Sequence, residues 1–281
     1  MTSPPRYAVF GQPIAHSLSP RIHAMFAVGL GIALDYRAIE AGRDDFAGAL
    51  DAFARDGGAG ANVTLPLKQD AAALCAGVSD RARRCGSVNT LIRERDHWQG
   101  DSTDGVGLLC DLERQAFDAC ARRCVLLGAG GAARAVAFAL ADAGAGEIVI
   151  ANRTHARARA LADAIGDRAR VVAIEWSRLD DAGAFDLIVH ATAAGHDGTP
   201  LALPASLAKA HTLGYDLSYG RAATPFLGWA HAVGLSRVAD GLGMLVEQAA
   251  ESFAIWHGRR PETMPVFETL RREHPLAVGG T

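Results

Sequence analysis

No CxxC pair occurs among the five cysteines (positions 75, 85, 110, 120 and 124), and their number is odd. That argues against a disulfide framework or a zinc site and fits reduced thiols in the cytoplasm. None of the ten histidines sits in an HExxH motif or beside cysteines at metal spacing, so no structural metal is expected. The formal charge of −3 leaves no electrostatic footprint for nucleic acid or an anionic membrane surface. Long apolar runs are missing as well, since Asp142 and Glu147 interrupt the best candidate for a membrane span. The start, MTSPPRYAVFG, lacks a basic stretch followed by an apolar one, so no signal peptide is expected. Internal repeats and low-complexity linkers are absent.

What remains is the composition of an ordinary soluble globular protein, 49% hydrophobic and 21% charged over 281 residues, a length that suits two domains. The stretch that organises the chain is CVLLGAGGAARAVAFALADAGAGEIVIANRT, residues 124 to 154. A short apolar run leads to Gly128, Gly130 and Gly131, then to an alanine-rich segment, a second apolar run and Asn152. This reads as strand, tight turn, helix, strand, the opening unit of a dinucleotide-binding fold. Gly128 allows the turn, Gly130 lets backbone approach a pyrophosphate, and Ala133 replaces the third glycine where helix meets strand. The same glycines would serve a strand-to-helix turn without a ligand; the flanking strand and helix pattern favours the cofactor reading.

Before this stretch, residues 7 to 11 read as a strand and QPIAHSLSP as a loop into a helix. Ser19 is expected as the helix N-cap, with Pro20 at the first helical position. Two hydroxyls, Ser17 and Ser19, at a helix N-terminus can hold a carboxylate; alternatively Ser19 only caps and Ser17 is solvated. A strand at 34 to 39 and an amphipathic helix at 43 to 55 lead to a strand at 61 to 65, on which Asn62 and Thr64 share a face. Pro66 then starts a helix with Lys68 in its first turn. A cation against the positive end of a helix dipole costs roughly a few tenths of a kcal/mol or more, an odd place for a purely structural lysine unless it is simply solvated. A short helix at about 79 to 84 follows, then SVNTLI with Asn89, and a strand near 97 to 101 that ends in GDSTDG. Asp101 and Asp104 frame that turn. Asp104 is expected to cap a helix from about 105 to 119, and one carboxylate oxygen can do so while the other faces a pocket.

After Asn152 come a helix at about 154 to 165, strands at 169 to 174, 186 to 192, 212 to 217 and 236 to 239, a helix from about 243 to 258 and a last one at about 262 to 273. Strands alternating with helices at these lengths imply a doubly wound parallel sheet. The extreme C-terminus, PLAVGGT, is expected to fray.

Taken together, VFGQPIAHSLSP, GANVTLPLK, GSVNTL, GDSTDGVG, LLGAGGAARA, ANRT, DLIVHAT, TPFL and ADGLGMLVEQAA closely resemble the shikimate dehydrogenase family, in the family's order and from about residue 7 to about 270. The resemblance implies an α/β protein. An N-terminal substrate-binding domain with a mixed sheet would occupy about 1–104, a doubly wound Rossmann-type NADP-binding domain about 105–242, and C-terminal helices at 243–281 would pack back on the first domain. It also implies an NADP-linked oxidoreductase that interconverts shikimate and 3-dehydroshikimate in aromatic amino acid biosynthesis, working in the cytoplasm as a monomer or homodimer. Lys68 matches the family's catalytic lysine and Asp104 its acidic partner. Ser17 and Ser19 would bind the shikimate carboxylate, and Thr64, Asn89, Asp104, Tyr219 and Gln248 would line the rest of the pocket. Gly128, Ala129, Gly130, Gly131 and Ala132, with Asn152, Arg153, Thr154 and Arg157, match the cofactor site, while Asp80, Leu217 and Gly241 would stand near the nicotinamide.

The residue types suit that chemistry. Hydride transfer from a secondary alcohol needs a group that removes the hydroxyl proton and returns it in reverse, while the cofactor handles the hydride. NAD-binding versions of the fold end the second strand in an acid that bonds the ribose 2′-hydroxyl; here that end reads Asn152, Arg153, Thr154, which leaves a 2′-phosphate unrepelled and points to NADP. The chain departs from the family at Ser102, where Asn is frequent, and at His190 and Ala193, where the usual NATS reads HATA. His190 is expected to be a strand-end residue rather than a catalyst. The readings set against this one are a quinate and shikimate enzyme with broader substrate or NAD use, another lysine-based NADP dehydrogenase of the methylene-tetrahydrofolate type, and a non-catalytic ligand sensor. The serine pair and Tyr219 argue against the second. The Lys68 and Asp104 pair, with no added effector domain, argues against the third.

Overall fold

The computed structural model of the chain describes residues 4–192 and 201–276. These fold into two compact units, one running through Gly107 and including Leu245–Glu268, the other Leu108–Met244 with the chain from Thr269 onward.

In the first unit, short apolar segments alternate with amphipathic helices: β1 (Arg6–Gly11), α1 (Ser19–Leu30), β2 (Asp35–Glu40), α2 (Phe46–Arg55), β3 (Gly58–Val63), α3 (Lys68–Ala73), β4 (Gly77–Val78), α4 (Asp80–Cys85), β5 (Thr90–Glu94) and β6 (His97–Asp101). The sheet order is β2-β1-β3-β5-β6-β4, with β1 parallel to β2 and β3, β5 antiparallel to β3 and β6, and β4 parallel to β6. This is the mixed sheet expected. Helix α2 shows why such segments become helical: Phe46, Leu50 and Phe53 recur at near-helical spacing and all three are buried. Phe10 on β1 meets Phe46 and Phe53 edge-on, with ring centroids 5.7 Å apart in each case. Burying a side chain of this size is worth about 1.5–3 kcal/mol.

Helix α5 (Asp104–Arg114) spans the division between the units, and the second unit then follows a simple alternation. Its elements are β7 (Arg123–Leu127), α6 (Gly131–Asp142), β8 (Glu147–Asn152), α7 (His155–Ile165), β9 (Val171–Glu175), β10 (Leu187–His190), β11 (Leu213–Asp216), α8 (Thr224–Ala232) and β12 (Arg237–Ala239). Order β12-β11-β10-β7-β8-β9 with every pairing parallel is the doubly wound arrangement, and its order reverses between β7 and β10. Parallel strands covered on both faces need continuous apolar runs, and the residues of CVLL, Ile148 to Ala151 and Leu187 to His190 are all buried. Helix α5 is tied into this unit by Asp111, fully buried, which accepts a hydrogen bond from the Tyr215 hydroxyl at 2.5 Å and pairs with Arg114.

The chain then forms α9 (Leu242–His257) and α10 (Met264–Glu273). They were expected to pack back on the first unit; Leu245–Glu268, which takes in most of α9 and the first half of α10, belongs to that unit, and from Thr269 the chain belongs to the second, where Arg271 pairs with Asp240, a carboxylate only 3% exposed. In the first unit, α9 lies against β3 and β5. Trp256 Nε1 donates to the Leu91 carbonyl at 3.0 Å, and a Cβ at Gly60 would stand 2.6 Å from that nitrogen, so the glycine admits the indole.

Several boundaries differ from the sequence reading. Ser19 is the first residue of α1 rather than its cap, and Leu18 occupies the cap position without a side-chain bond. Helix α5 begins at Asp104 and ends at Arg114, five residues short of Ala119, because Ala116 takes a left-handed conformation with φ 52°. Among the strands and α-helices of the described residues, the two-residue β4 and the helix α8, whose Thr224-Pro225 start places proline in the first turn, were not foreseen. Residues 277–281, expected to fray, lie outside the described residues.

Candidate active site

Strand register decides which side chains of the first unit gather. Phe10 on β1 pairs with Val63 on β3, Asn62 with Thr90 on β5, and Thr90 with Asp101 on β6. The segments leaving or entering the sheet at this edge are therefore those after β1, β3 and β6 and before β5. They carry Ser17 and Ser19, Thr64 and Lys68, Asp104, and Asn89.

Lys68 opens α3, and its Nζ lies 2.5 Å from Asp104 Oδ2, with the two side chains 15% and 5% exposed. A carboxylate at this distance offsets the unfavourable position of a cation at a helix start. Asp104 does not divide its oxygens between cap and pocket as expected: Oδ2 serves Lys68, and Oδ1 accepts from Asn89 Nδ2 at 2.9 Å. The same Asn89 nitrogen lies 3.1 Å from Gln248 Oε1 on α9. Lys68, Asp104, Asn89 and Gln248 thus form one connected set. Asp101, at the head of the turn, is pushed up by burial, yet hydrogen bonds from Arg81 and Ser79 outweigh this and hold its carboxyl below the ordinary range. Asp101 Oδ1 also accepts from the Ser102 backbone N–H at 2.7 Å, and the buried Ser102 hydroxyl has no partner among the described residues.

Ser17 and Ser19 stand where the loop after β1 meets α1, and the Ser19 N–H lies 3.3 Å from Ser17 Oγ. Ser19 is buried and Ser17 is half-buried. Thr64 follows β3 directly and is half-buried, its backbone N–H donating to the Phe10 carbonyl at 2.8 Å. Asp80 opens α4, largely exposed, with its carboxylate on Arg83 at 2.5 Å.

Behind the connected set lies a layer of buried polar side chains that the sequence reading did not assign. Thr90, Thr103 and Ser252 are fully buried, and Asn62 is 5% exposed. Asn62 Nδ2 donates to the Asn89 carbonyl, Thr90 Oγ1 and Ser252 Oγ at 3.0–3.3 Å, while its Oδ1 accepts from the Tyr36 hydroxyl at 2.8 Å. The visible signal was a polar residue, Asn62, at a core position of a strand; its partners on other elements could not be read from spacing.

The second unit holds the remaining candidates. After β7, Gly128 adopts φ +123°, and a Cβ there would stand 2.6 Å from the Ala191 carbonyl oxygen at the end of β10. Only glycine fits both the conformation and the approach. Gly130 precedes the twelve-residue α6, is exposed, and a Cβ on it would meet nothing within 4 Å. The turn from Gly128 to Ala132 therefore presents bare backbone at a helix N-terminus, the form a pyrophosphate requires, and the fully buried Ala133 seats the helix on the sheet. At the end of β8, Asn152 Nδ2 donates to the Thr154 carbonyl at 3.0 Å. Arg153 and Arg157 are exposed, and neither has an acidic partner within salt-bridge distance among the described residues. Two uncompensated cations beside an uncharged strand end fit a 2′-phosphate. Leu217 and Gly241 are brought together: a Cβ at Gly241 would strike the Leu217 carbonyl oxygen at 2.1 Å. Tyr219, half-buried, stands just ahead of a short 3₁₀ turn, Gly220–Ala223.

His190 is more than a strand-end residue. Only 1% exposed, it contacts Asp216 Oδ2 through Nδ1 at 2.8 Å and Thr192 Oγ1 through Nε2 at 2.7 Å, and stacks on Phe226. Asp216 Oδ1 in turn accepts from the Ser218 N–H at 2.7 Å, so this histidine braces the turn that carries Leu217. Ala193, the other departure in HATA, lies outside the described residues. Among the described residues no cluster of three metal-ligating side chains occurs, and no helix is long and apolar enough to cross a membrane.

Comparison with known proteins places the chain in one family. Residues 9–91 match the family model described as shikimate dehydrogenase substrate binding domain, residues 111–203 that of shikimate / quinate 5-dehydrogenase, and residues 241–266 that of the shikimate 5′-dehydrogenase C-terminal domain. A shikimate dehydrogenase (NADP(+)) of Xanthomonas campestris pv. campestris is 56% identical over 276 residues, covering 97% of this chain and 98% of its own. An Ael1 enzyme from Pseudomonas putida, solved as a crystal structure, superposes with a TM-score of 0.85 at 42% identity, over 95% of this chain and 98% of the other. The shikimate 5-dehydrogenase of Thermus thermophilus, crystallised in complex with NADP(H) and shikimate, superposes with a TM-score of 0.82 at 37% identity, over 95% and 99% of the two chains.

Proposed function

The chain belongs to the shikimate dehydrogenase family, and from that premise we propose how its residues carry out NADP-dependent, reversible reduction of 3-dehydroshikimate to shikimate. The observation that carries the reading is the ion pair of Lys68 and Asp104, held 2.5 Å apart by Asn89 and by the start of α3.

When bound, NADP supplies the hydride donor and acceptor. The protein must bind the substrate, orient its hydroxyl and move one proton. In reduction the Lys68 ammonium gives a proton to the carbonyl oxygen as the hydride arrives and is left as the neutral amine, which regains a proton from solvent; in shikimate oxidation the neutral amine takes the hydroxyl proton as the hydride leaves. Asp104 holds the Lys68 Nζ in place and accepts from the substrate side, with its second oxygen fixed by Asn89. Ser17 and Ser19 take the carboxylate, and Thr64, Asn89, Tyr219 and Gln248 read the ring hydroxyls. The turn from Gly128 to Ala132 receives the pyrophosphate on its backbone N–H groups, and Asn152, Arg153, Thr154 and Arg157 receive the adenosine end. Asp80, Leu217 and Gly241 serve the nicotinamide end. None of the five cysteines is in a disulfide, which suits a reducing, cytoplasmic setting; the chain works there as a monomer or homodimer.

One steady-state assay tests the reading: shikimate and quinate are each offered with NADP⁺ and NAD⁺, and reduced cofactor is followed by absorbance. Shikimate with NADP⁺ is expected to give the highest kcat/KM. Equal or better use of NAD⁺ would overturn the part given to Arg153 and Arg157. Absence of turnover with either substrate would overturn the enzyme reading itself.

A further inference from the structure

Thr103 has no part in the reaction as set out above, yet its contacts reach two of the side chains that do. It is fully buried. Its backbone N–H donates to Asn89 Oδ1 at 2.8 Å. Its hydroxyl lies 2.9 Å from Asn89 Nδ2, 3.2 Å from Asn89 Oδ1, 3.3 Å from Gln248 Oε1 and 3.2 Å from Ser252 Oγ.

The backbone contact settles which way the Asn89 amide points. A backbone N–H only donates, so the end of Asn89 that faces it must be the oxygen. The NH₂ end is then turned to Asp104 Oδ1, an acceptor, at 2.9 Å. A flipped amide would set NH₂ against N–H on one side and oxygen against a carboxylate on the other, with both contacts repulsive. Asn89 is thereby held as a donor to Asp104, and Asp104 Oδ2 is left for Lys68.

The hydroxyl does a separate job. It lies within hydrogen-bond reach of both the Asn89 amide and the Gln248 side-chain carbonyl on α9, so it fixes the spacing between these two polar ends. Ser252, one helical turn after Gln248, closes the arrangement from behind: its Oγ donates to the Gln248 backbone carbonyl at 3.0 Å and lies 2.8 Å from Thr90 Oγ1.

We infer that Thr103 is a positioning residue for the reaction, its hydroxyl locking Asn89 to Gln248 so that Asp104 and Lys68 present a single geometry to the substrate hydroxyl. The inference rests on the function proposed for Lys68 and Asp104. A small misplacement of a reacting group is enough to cost a large factor in rate.

The test separates the hydroxyl from the space it fills. Thr103→Val keeps the shape and the backbone N–H but loses the hydroxyl, whereas Thr103→Ser keeps the hydroxyl and loses a methyl group. In shikimate oxidation with NADP⁺, Thr103→Val is expected to lower kcat by about 10- to 100-fold with a much smaller change in the KM for shikimate, and Thr103→Ser to recover most of that loss. A residue needed only for packing would give the opposite order, with Ser no better than Val. That order, or wild-type kcat in Thr103→Val, would overturn the inference. Should Thr103→Val not fold, as judged by circular dichroism, Thr103→Ala is compared with Thr103→Ser on the same criterion. Wild-type protein is assayed alongside: if it forms no NADPH with shikimate, the proposed function fails, whereas an active wild type with an unimpaired Thr103→Val removes only the role of Thr103.

Discussion

The candidate residues of the two units are arranged on opposite plans. In the first unit, Lys68, Asp104, Asn89 and Gln248 are largely buried and satisfy one another, and the hydroxyls of Thr90, Thr103 and Ser252 satisfy them from behind. In the second unit the turn proposed for the cofactor is bare backbone at Gly130, and arginines 153 and 157 are exposed. The difference follows from what each half must do. A small, uncharged ring hydroxyl offers little binding energy, so the groups that act on it must be placed before it arrives. A dinucleotide brings phosphates of its own, and a helix N-terminus with unpaired cations needs only to stay open for them.

The contrast predicts how each half breaks. Lys68→Ala is expected to give the largest effect, a drop in kcat of roughly 10² to 10⁴ with a smaller change in KM, measured by steady-state shikimate oxidation; a variant turning over near the wild-type rate would end the assignment. Replacing both arginines, Arg153→Ala with Arg157→Ala, should raise the KM for NADP⁺ by about 10-fold or more while leaving the KM for NAD⁺ close to its starting value, because only a 2′-phosphate loses partners. A parallel loss with both cofactors would show that the arginines act on something the two share.

A third test concerns stability in the first unit. His23 is fully buried and stacked on Tyr36 with ring centroids 4.3 Å apart; burial, reinforced by the nearby His257, pulls its pKa down to about 3. The folded state therefore resists a proton that the unfolded chain accepts below about 6.5. Its contribution is complete above that pH and is lost as the pH falls toward about 3. Chemical denaturation at pH 7.5 and pH 5 should show the wild type losing about 2 kcal/mol more than His23→Phe over that interval. Equal losses would assign the acid sensitivity elsewhere. The smallest effect is expected at Ser102, whose hydroxyl makes no bond among the described residues: Ser102→Ala should leave kcat unchanged and shift stability by less than about 0.5 kcal/mol, or stabilise. A fall in kcat there would give that hydroxyl a ligand to hold.

Legibility in the sequence was uneven for physical reasons. The glycine turn at Gly128 could be read because it is local: a left-handed residue between a strand and a helix leaves its mark within a few positions. Lys68 stood out because a cation at a helix start is locally unfavourable. Helix α8 was passed over because it is apolar on most faces and carries no clean period, and its start was recognised only as the motif TPFL. His190 was underestimated because the partners that satisfy its ring nitrogens, Asp216 and Thr192, come from the next strand and from beyond its own. Ser19 was given the cap position that Leu18 takes, a shift of one residue that propensity does not resolve.

By itself, then, the sequence determined the α/β alternation, the open turn at Gly128 to Ala132, the uncharged strand end at Asn152 and the residue types able to move a proton, because each depends on neighbours along the chain. Only the tertiary structure decided that Asp104 gives one oxygen to Lys68 and the other to Asn89, and that Gln248 and Ser252, more than 140 residues further on, meet Asn89 and Thr103. Those contacts follow from strand register and from the return of α9 to the first unit, and a hydrogen bond depends on where atoms end up in space, whatever their separation in sequence.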